Sequence, residues 1–258
     1  MILKNEYPVL EYSTQRDAVI NPQKEPIPFP RLCLVTFFEE VFNDITKRYS
    51  GTLIGTYCSE MKKFDVYAIQ YQQTELCVVQ SVVASGSIAM MTDWLYGKGV
   101  DVIVCCGGCG VLDHIPAGDI ILPLRALRDE GASYQYLPPS RWIELQNAPI
   151  EAFRTVLSRH HIPYLECATW TTDGFFRETK EMVEYRRTED GCQVVEMECA
   201  AMAAIAEFRG KTFGQILYSG DILVGNDEYD DREWYHNSSA REKLYLIAME
   251  ALCLLKNR

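Results

Sequence analysis

From residue 32 onward, short apolar runs alternate with stretches of helical period. Leu32–Phe37, Phe64–Tyr71, Glu75–Val82, Asp101–Cys106, Asp119–Leu122, Tyr164–Trp170, Gln193–Met197 and Thr212–Tyr218 each read as a strand. Several are continuously apolar rather than alternating, the pattern of strands covered on both faces. Between them, Ile88, Met91 and Leu95 recur at helical spacing, and the pattern stops at Gly97 and Gly99, where glycine commonly ends a helix. Near the C-terminus Leu244, Ile247, Ala248, Ala251, Leu252 and Leu255 fall at i, i+3, i+4, i+7, i+8 and i+11, forming one apolar stripe. This alternation predicts an α/β fold: a single domain with a mixed, largely parallel central sheet flanked by helices. Residues 1–31 are polar and end in the proline-rich PQKEPIPFP, which reads as an extended N-terminal arm. The domain proper is expected over 32–258. Ligands of such sheets sit beyond the carboxyl ends of strands, so the segments there are the ones to read for chemistry.

Charge narrows the partners. The 258 residues carry 25 Lys plus Arg against 36 Asp plus Glu, a net charge of −11. That balance argues against nucleic acid or an anionic membrane as the main partner. No apolar run approaches the ~18 residues of a spanning helix, and the opening MILKNEYPVLEYSTQRD has no apolar core of signal-peptide type. The expectation is a soluble, cytoplasmic protein. Its ten cysteines lie mostly in strand-like runs, where free cysteine acts as a small hydrophobe. Cys106 and Cys109 form a lone CxxC, but its glycine-rich setting does not suit a redox helix N-terminus. With no second pair to complete a zinc site, no metal site is expected.

Four segments carry polar groups to strand ends. Cys105-Cys106-Gly107-Gly108-Cys109-Gly110 follows a strand. Glycines there let backbone N–H groups cradle an anion, although a tight packing turn needs the same residues. Val194-Val195-Glu196-Met197-Glu198-Cys199-Ala200-Ala201 runs from a strand into an alanine-rich helix. Two carboxylates around a methionine suit a sugar, supplying acceptors for hydroxyls and a soft surface for the ring; the alternative is a solvated helix start. Asp221, in Ser219-Gly220-Asp221, is placed either for acid–base work or as a helix cap. Thr171-Thr172-Asp173-Gly174-Phe175-Phe176 offers an aromatic face for stacking or for core packing.

Together these segments resemble the nucleoside phosphorylase/nucleosidase superfamily of purine nucleoside phosphorylases, uridine phosphorylases and methylthioadenosine nucleosidases. VEMECAA is the most specific match. SVVASGSIAMMTDWLYGKGVDVIVCCGGCGVL, LRDEGASYQYLPPSR, TWTTDGFFRE, ILYSGD and the C-terminal helix extend it in the family's order. The resemblance implies a three-layer fold and cleavage of the N-glycosidic bond of a nucleoside, with phosphate as co-substrate and no cofactor. It also implies a homodimer or a ring of dimers. Glu198 would accept hydrogen bonds from ribose hydroxyls, Met197 would pack on the sugar, and Glu196 and Thr171 would belong to the same site. Phe175 would stack on the base, Asp221 would protonate the departing base, and Gly107 and Gly108 would face the nucleophile. Breaking this bond builds positive charge on the ribose and negative charge on the base; each group aimed at developing charge is typically worth ~3 kcal/mol.

The chain departs from phosphorolytic members where they bind phosphate. The usual glycine-aspartate-proline-arginine loop reads Thr36-Phe37-Phe38-Glu39-Glu40-Val41, the arginine before the central glycines aligns with Cys105, and its serine or threonine aligns with Gly108. The N-terminal histidine is missing, the four histidines being His114, His160, His161 and His236. Arg128, Arg125, Arg141 or Arg48 would have to supply the charge. Alternatively water is the nucleophile: TFFEEV resembles the methylthioadenosine nucleosidases, whose water-activating glutamate aligns with Glu40. A solvated first-turn carboxylate explains Glu40 equally. A degenerate, nucleoside-binding member is the third reading. LRDEGASYQY resembles the uridine phosphorylases, yet their base-reading glutamine and arginine align with Thr179 and Glu181, and Asp221 favours a purine. The acidic stretch Asn226–Glu233 reads as a solvated loop or a cover over the base.

Overall fold

The computed structural model describes residues 1–22, 29–224 and 229–256. Most of the proline-rich run and the first part of the acidic stretch (23–28 and 225–228) therefore lie outside the described residues. Two-residue strands β1 (Ile2–Leu3) and β2 (Tyr12–Ser13) pair with each other. The ten remaining strands among the described residues form one sheet. They are β3 (Leu32–Thr36), β4 (Thr52–Cys58), β5 (Lys63–Tyr71), β6 (Thr74–Gln80), β7 (Val102–Val111), β8 (Ile120–Asp129), β9 (Trp142–Glu144), β10 (Tyr164–Thr172), β11 (Cys192–Glu196) and β12 (Thr212–Ile222). The helices are α1 (Glu39–Arg48), α2 (Ser85–Gly97), α3 (Ser133–Tyr136), α4 (Asn147–Arg159), α5 (Lys180–Thr188), α6 (Cys199–Arg209) and α7 (Ser238–Leu255).

The sheet is mixed, in the order β11-β10-β8-β12-β7-β3-β6-β5-β4, with β9 beside β8. β11 also pairs with β7, so β7, β12, β8, β10 and β11 close on themselves. Continuous apolar runs become strands buried on both faces: every residue of β3 is buried. Helices α1 and α4 pack with α7, and α2 and α3 pack with α6, giving the sheet its flanking layers. The single-domain α/β architecture matches the expectation.

Three strands run further than their apolar patterns. β8 continues through Pro123 to Asp129 because a bulge at Leu124, between the pairs Pro123–Cys167 and Arg125–Ala168, interrupts the ladder beside the proline, and because Arg125 lies 4.1 Å from the Trp142 ring centroid, which gives a strand cation a place to stack. β7 runs on through the glycines to Val111, and β12 through Asp221 to Ile222. Ser219-Gly220-Asp221 is thus part of a strand, and Asp221 is not a helix cap. β4 escaped the sequence pattern because it is an edge strand whose Leu53 is solvent-exposed, and β9 because it is three residues long.

Candidate active site

A cavity of about 560 Å³ opens where the ends of β3, β11 and β12 meet the glycines of β7. Its shape has a backbone cause. β11 pairs with β7 through Val194 opposite Val111 and Val195 opposite Gly110, which brings the end of β11 back over the glycine run. A Cβ on Gly110 would stand 2.7 Å from Leu223 and 3.0 Å from Val195, and one on Gly108 would stand 3.3 Å from the Tyr218 ring. Glycine permits this approach. The stretch 107–110 is therefore strand, which corrects the expected anion-cradling loop. Gly108, Cys109 and Gly110 line the cavity, whereas Gly107 packs on Phe37, 2.9 Å from where a Cβ would stand. In a strand, residues three apart face opposite ways, which separates Cys106 from Cys109. Burial pushes the Cys106 thiol up to about 12 and that of Cys109 well up, away from a reactive thiolate.

The two carboxylates of the VEMECAA segment have different tasks. Glu196 is saturated: Oε1 accepts from Thr171 Oγ1 at 2.5 Å and Thr169 Oγ1 at 3.2 Å, and Oε2 accepts from the backbone N–H groups of Glu198 (2.8 Å) and Cys199 (2.6 Å). It fastens the start of α6 to β10, and Thr171 also accepts from the Ala200 N–H at 3.1 Å. Thr171 thus braces Glu196 and is not among the cavity-lining residues. Glu198 uses Oε1 to accept from the Ala84 N–H at 2.6 Å, leaving an oxygen for a ligand. Ala84 has φ +76° and ψ 148°, a conformation strained for any residue but glycine. Desolvation, and next the charge of Glu196, push Glu198 up to about 8. Met197 lies beside it on the cavity wall.

At the outer end stand Asp221, Phe175 and Glu178, which also line an adjoining lobe of about 380 Å³. Asp221 Oδ2 accepts from the Tyr229 hydroxyl at 2.9 Å. Burial raises its affinity for a proton, more than Tyr229 lowers it. Burial, and then the charge of Asp221, push Glu178 up to about 7. Phe175 is about half exposed (48%) and meets Phe176 edge-on with ring centroids 5.0 Å apart, so its ring is open to a planar ligand. Glu178 had no signal in the sequence beyond its place after the aromatic pair.

Phe37, Phe38, Glu39 and Glu40 also line the cavity. Glu40, in the first turn of α1, is ion-paired through Oε1 to Arg241 Nη1 at 2.5 Å. Arg241 is 6% exposed. Its Nε donates to the Tyr218 hydroxyl (3.3 Å), its Nη2 donates to the Trp234 carbonyl (3.2 Å), and its guanidinium lies 4.5 Å from the Phe38 ring centroid. Among the described residues it is the cation that lines this cavity. The sequence carried a signal for it: Arg241 is three residues before Leu244, on the apolar stripe of α7, where an unpaired charge would be costly. The arginines expected to supply charge are elsewhere. Arg128 is buried, donating to Ser133 Oγ, Ser140 Oγ and the carbonyls of Pro138 and Leu137. Arg141 pairs with Asp190, Arg48 with Asp44 and Glu242, and Arg125 stacks on Trp142.

A family model described as the phosphorylase superfamily matches residues 31–251. A guanosine phosphorylase of Halorubrum lacusprofundi is 23% identical over 181 residues, 68% of this chain and 73% of that protein. The crystal structure of a purine nucleoside phosphorylase from Toxoplasma gondii superposes with a TM-score of 0.75 at 16% identity, covering 91% of this chain and 94% of the other. That of an AMP nucleosidase from Bacteroides thetaiotaomicron gives 0.71 at 19% identity, covering 89% and 90%. At these identities the two solved structures speak to the fold alone.

Proposed function

The chain belongs to the phosphorylase superfamily, and on that premise we propose that it is a purine nucleosidase, cleaving the bond between ribose and base with water. The family acts on nucleosides with either phosphate or water. The observation that carries the choice is the state of the cavity's cation: Arg241 is already paired to Glu40, and Glu39 stands beside them in the lining. A phosphate dianion entering there would be desolvated among carboxylates, at several kcal/mol even after relaxation. A neutral water avoids that penalty. Glu40, with Oε1 held by Arg241, takes the water's proton on Oε2 as the oxygen attacks C1′. Glu198 accepts from the ribose hydroxyls, Met197 packs on the ring, and Phe175 stacks on the base. Protonated Asp221 donates to the base nitrogen as the glycosidic electron pair departs with the base. Burial raises its proton affinity, in the direction a general acid needs, and a purine offers an imidazole nitrogen to receive the proton.

Phosphorolysis is the second reading. It is favoured by Arg241, which would become the counter-ion of phosphate if Glu40 swung aside, and by the guanosine phosphorylase relative. The test is base release from guanosine, inosine, adenosine and uridine in phosphate-free buffer and with added phosphate. Hydrolysis predicts release of a purine base at a rate indifferent to phosphate, with free ribose as product, and loss of that rate in Glu40→Gln. Release that requires phosphate and yields ribose 1-phosphate would establish the second reading instead.

A further inference from the structure

Gln215 stands in the interior of β12, opposite Cys105 of β7, and is 1% exposed. It lines the cavity six residues before Asp221 on the same strand, and so at the inner end. Neither Oε1 nor Nε2 of Gln215 has a hydrogen-bond partner, although both are buried. The other buried, unpartnered side-chain atoms among the described residues are single atoms of Thr74, Thr92, Arg186 and Arg232, none of which lines the cavity. Gln215 alone presents a whole unmet amide.

Such a group needs an explanation, because an amide buried without partners forfeits the hydrogen bonds it made in water. A methionine of similar volume would fill the same space without that loss. Phe37, Phe38, Cys109 and Tyr218 share the lining with Gln215, and no described side chain hydrogen-bonds the amide. We propose that Gln215 is a positioning residue for the nucleophile, its amide holding the attacking water beneath the anomeric carbon. The amide is suited to this because it both accepts and donates. Oε1 takes the hydrogen of the water that Glu40 does not remove, and a lone pair on the water oxygen is left pointing at C1′. The oxygen–carbon bond forms as the carbon–nitrogen bond breaks, one water proton goes to Glu40, and Gln215 ends the step unchanged. This inference rests on the hydrolytic reading of the site.

The experiment compares wild type, Gln215→Met and Gln215→Asn in phosphate-free buffer with guanosine, and repeats the comparison with methanol added as a competing nucleophile. Gln215→Met is expected to raise the melting temperature of the substrate-free protein, since it removes the unmet amide. It is expected to lower kcat about 10²-fold through misplacement of the nucleophile, with KM within about twofold because the nucleoside itself is untouched. Gln215→Asn, which withdraws the amide by one methylene, should share the kcat loss. The ratio of methyl riboside to ribose should rise in both variants, which a purely structural residue would not change. The wild-type rate without phosphate is read first: if it is absent, the hydrolytic reading falls and the proposal falls with it. If it is present and Gln215→Met matches wild type in kcat and in methanol partitioning, or fails to fold, the proposal alone is overturned.

Discussion

Replacing Glu198 with glutamine separates what this carboxylate does for catalysis from what it does to the fold. The side chain is 5% exposed, and burial together with Glu196 raises its proton affinity from the ordinary 4.5 to about 8. Between those two values the folded protein holds a proton that the unfolded chain releases, so stability falls as pH rises through the window and levels off above 8. At pH 7 the penalty spans roughly 2.5 pH units, or about 3 kcal/mol at 1.36 kcal/mol per unit. Glutamine is isosteric, never ionises, and keeps a carbonyl oxygen for the Ala84 N–H. Glu198→Gln should therefore melt about 6–12 °C above wild type at pH 7. The gap should close near pH 4.5 and be widest above pH 8. At the same time kcat/KM should drop by about 10²-fold, because charge-assisted hydrogen bonds to ribose are lost. The assay is a pair of thermal melts from pH 4 to 9 beside steady-state rates. Melting curves that coincide at every pH, or a variant less stable than wild type at pH 8, would refute the claim that this carboxylate is desolvated.

Three further outcomes follow from the same geometry. Because Glu198 must be ionised to accept from the sugar, kcat/KM is expected to climb toward pH 8 in wild type and to lose that rising limb in Glu198→Gln, read from initial rates across buffers. Ala84→Gly should relieve the strained φ of +76° and raise stability by about 1 kcal/mol, measured by urea unfolding. Arg128→Ala should leave its buried acceptors unmatched and lower stability by about 3 kcal/mol. Its kcat/KM should stay within about twofold of wild type at a temperature where it is folded, since Arg128 does not line the cavity.

How far the sequence could be read depended on whether each signal was local. The buried strands announced themselves as continuous apolar runs, and α7 as a stripe, because burial on a known period is written residue by residue. Glu198, Met197, Phe175, Asp221 and Glu40 share one cavity, and their neighbourhood was foreseeable from resemblance in order and spacing. The glycine run was misread because a glycine needed for close approach of β11 looks, in one dimension, like a glycine needed for a turn. Glu196 and Thr171 carry polar groups that serve each other, and only the hydrogen bonds between β10 and α6 reveal it. Arg241 could have been found by extending the α7 stripe one turn backward. Its pairing with Glu40, two hundred positions away, could not, since nothing local to either residue encodes the contact.

The account's central claim is a division of labour within one cavity, Glu198 on the sugar and Asp221 on the departing base. The most direct test measures kcat/KM for guanosine and for 4-nitrophenyl riboside, whose leaving group departs without a proton, in wild type, Asp221→Asn and Glu198→Gln. Asp221→Asn is expected to slow guanosine by 10²–10⁴-fold while leaving the nitrophenyl riboside within about tenfold, and Glu198→Gln is expected to slow both substrates alike. An Asp221→Asn variant that loses both substrates equally, or a Glu198→Gln variant that spares the nitrophenyl riboside, would contradict it.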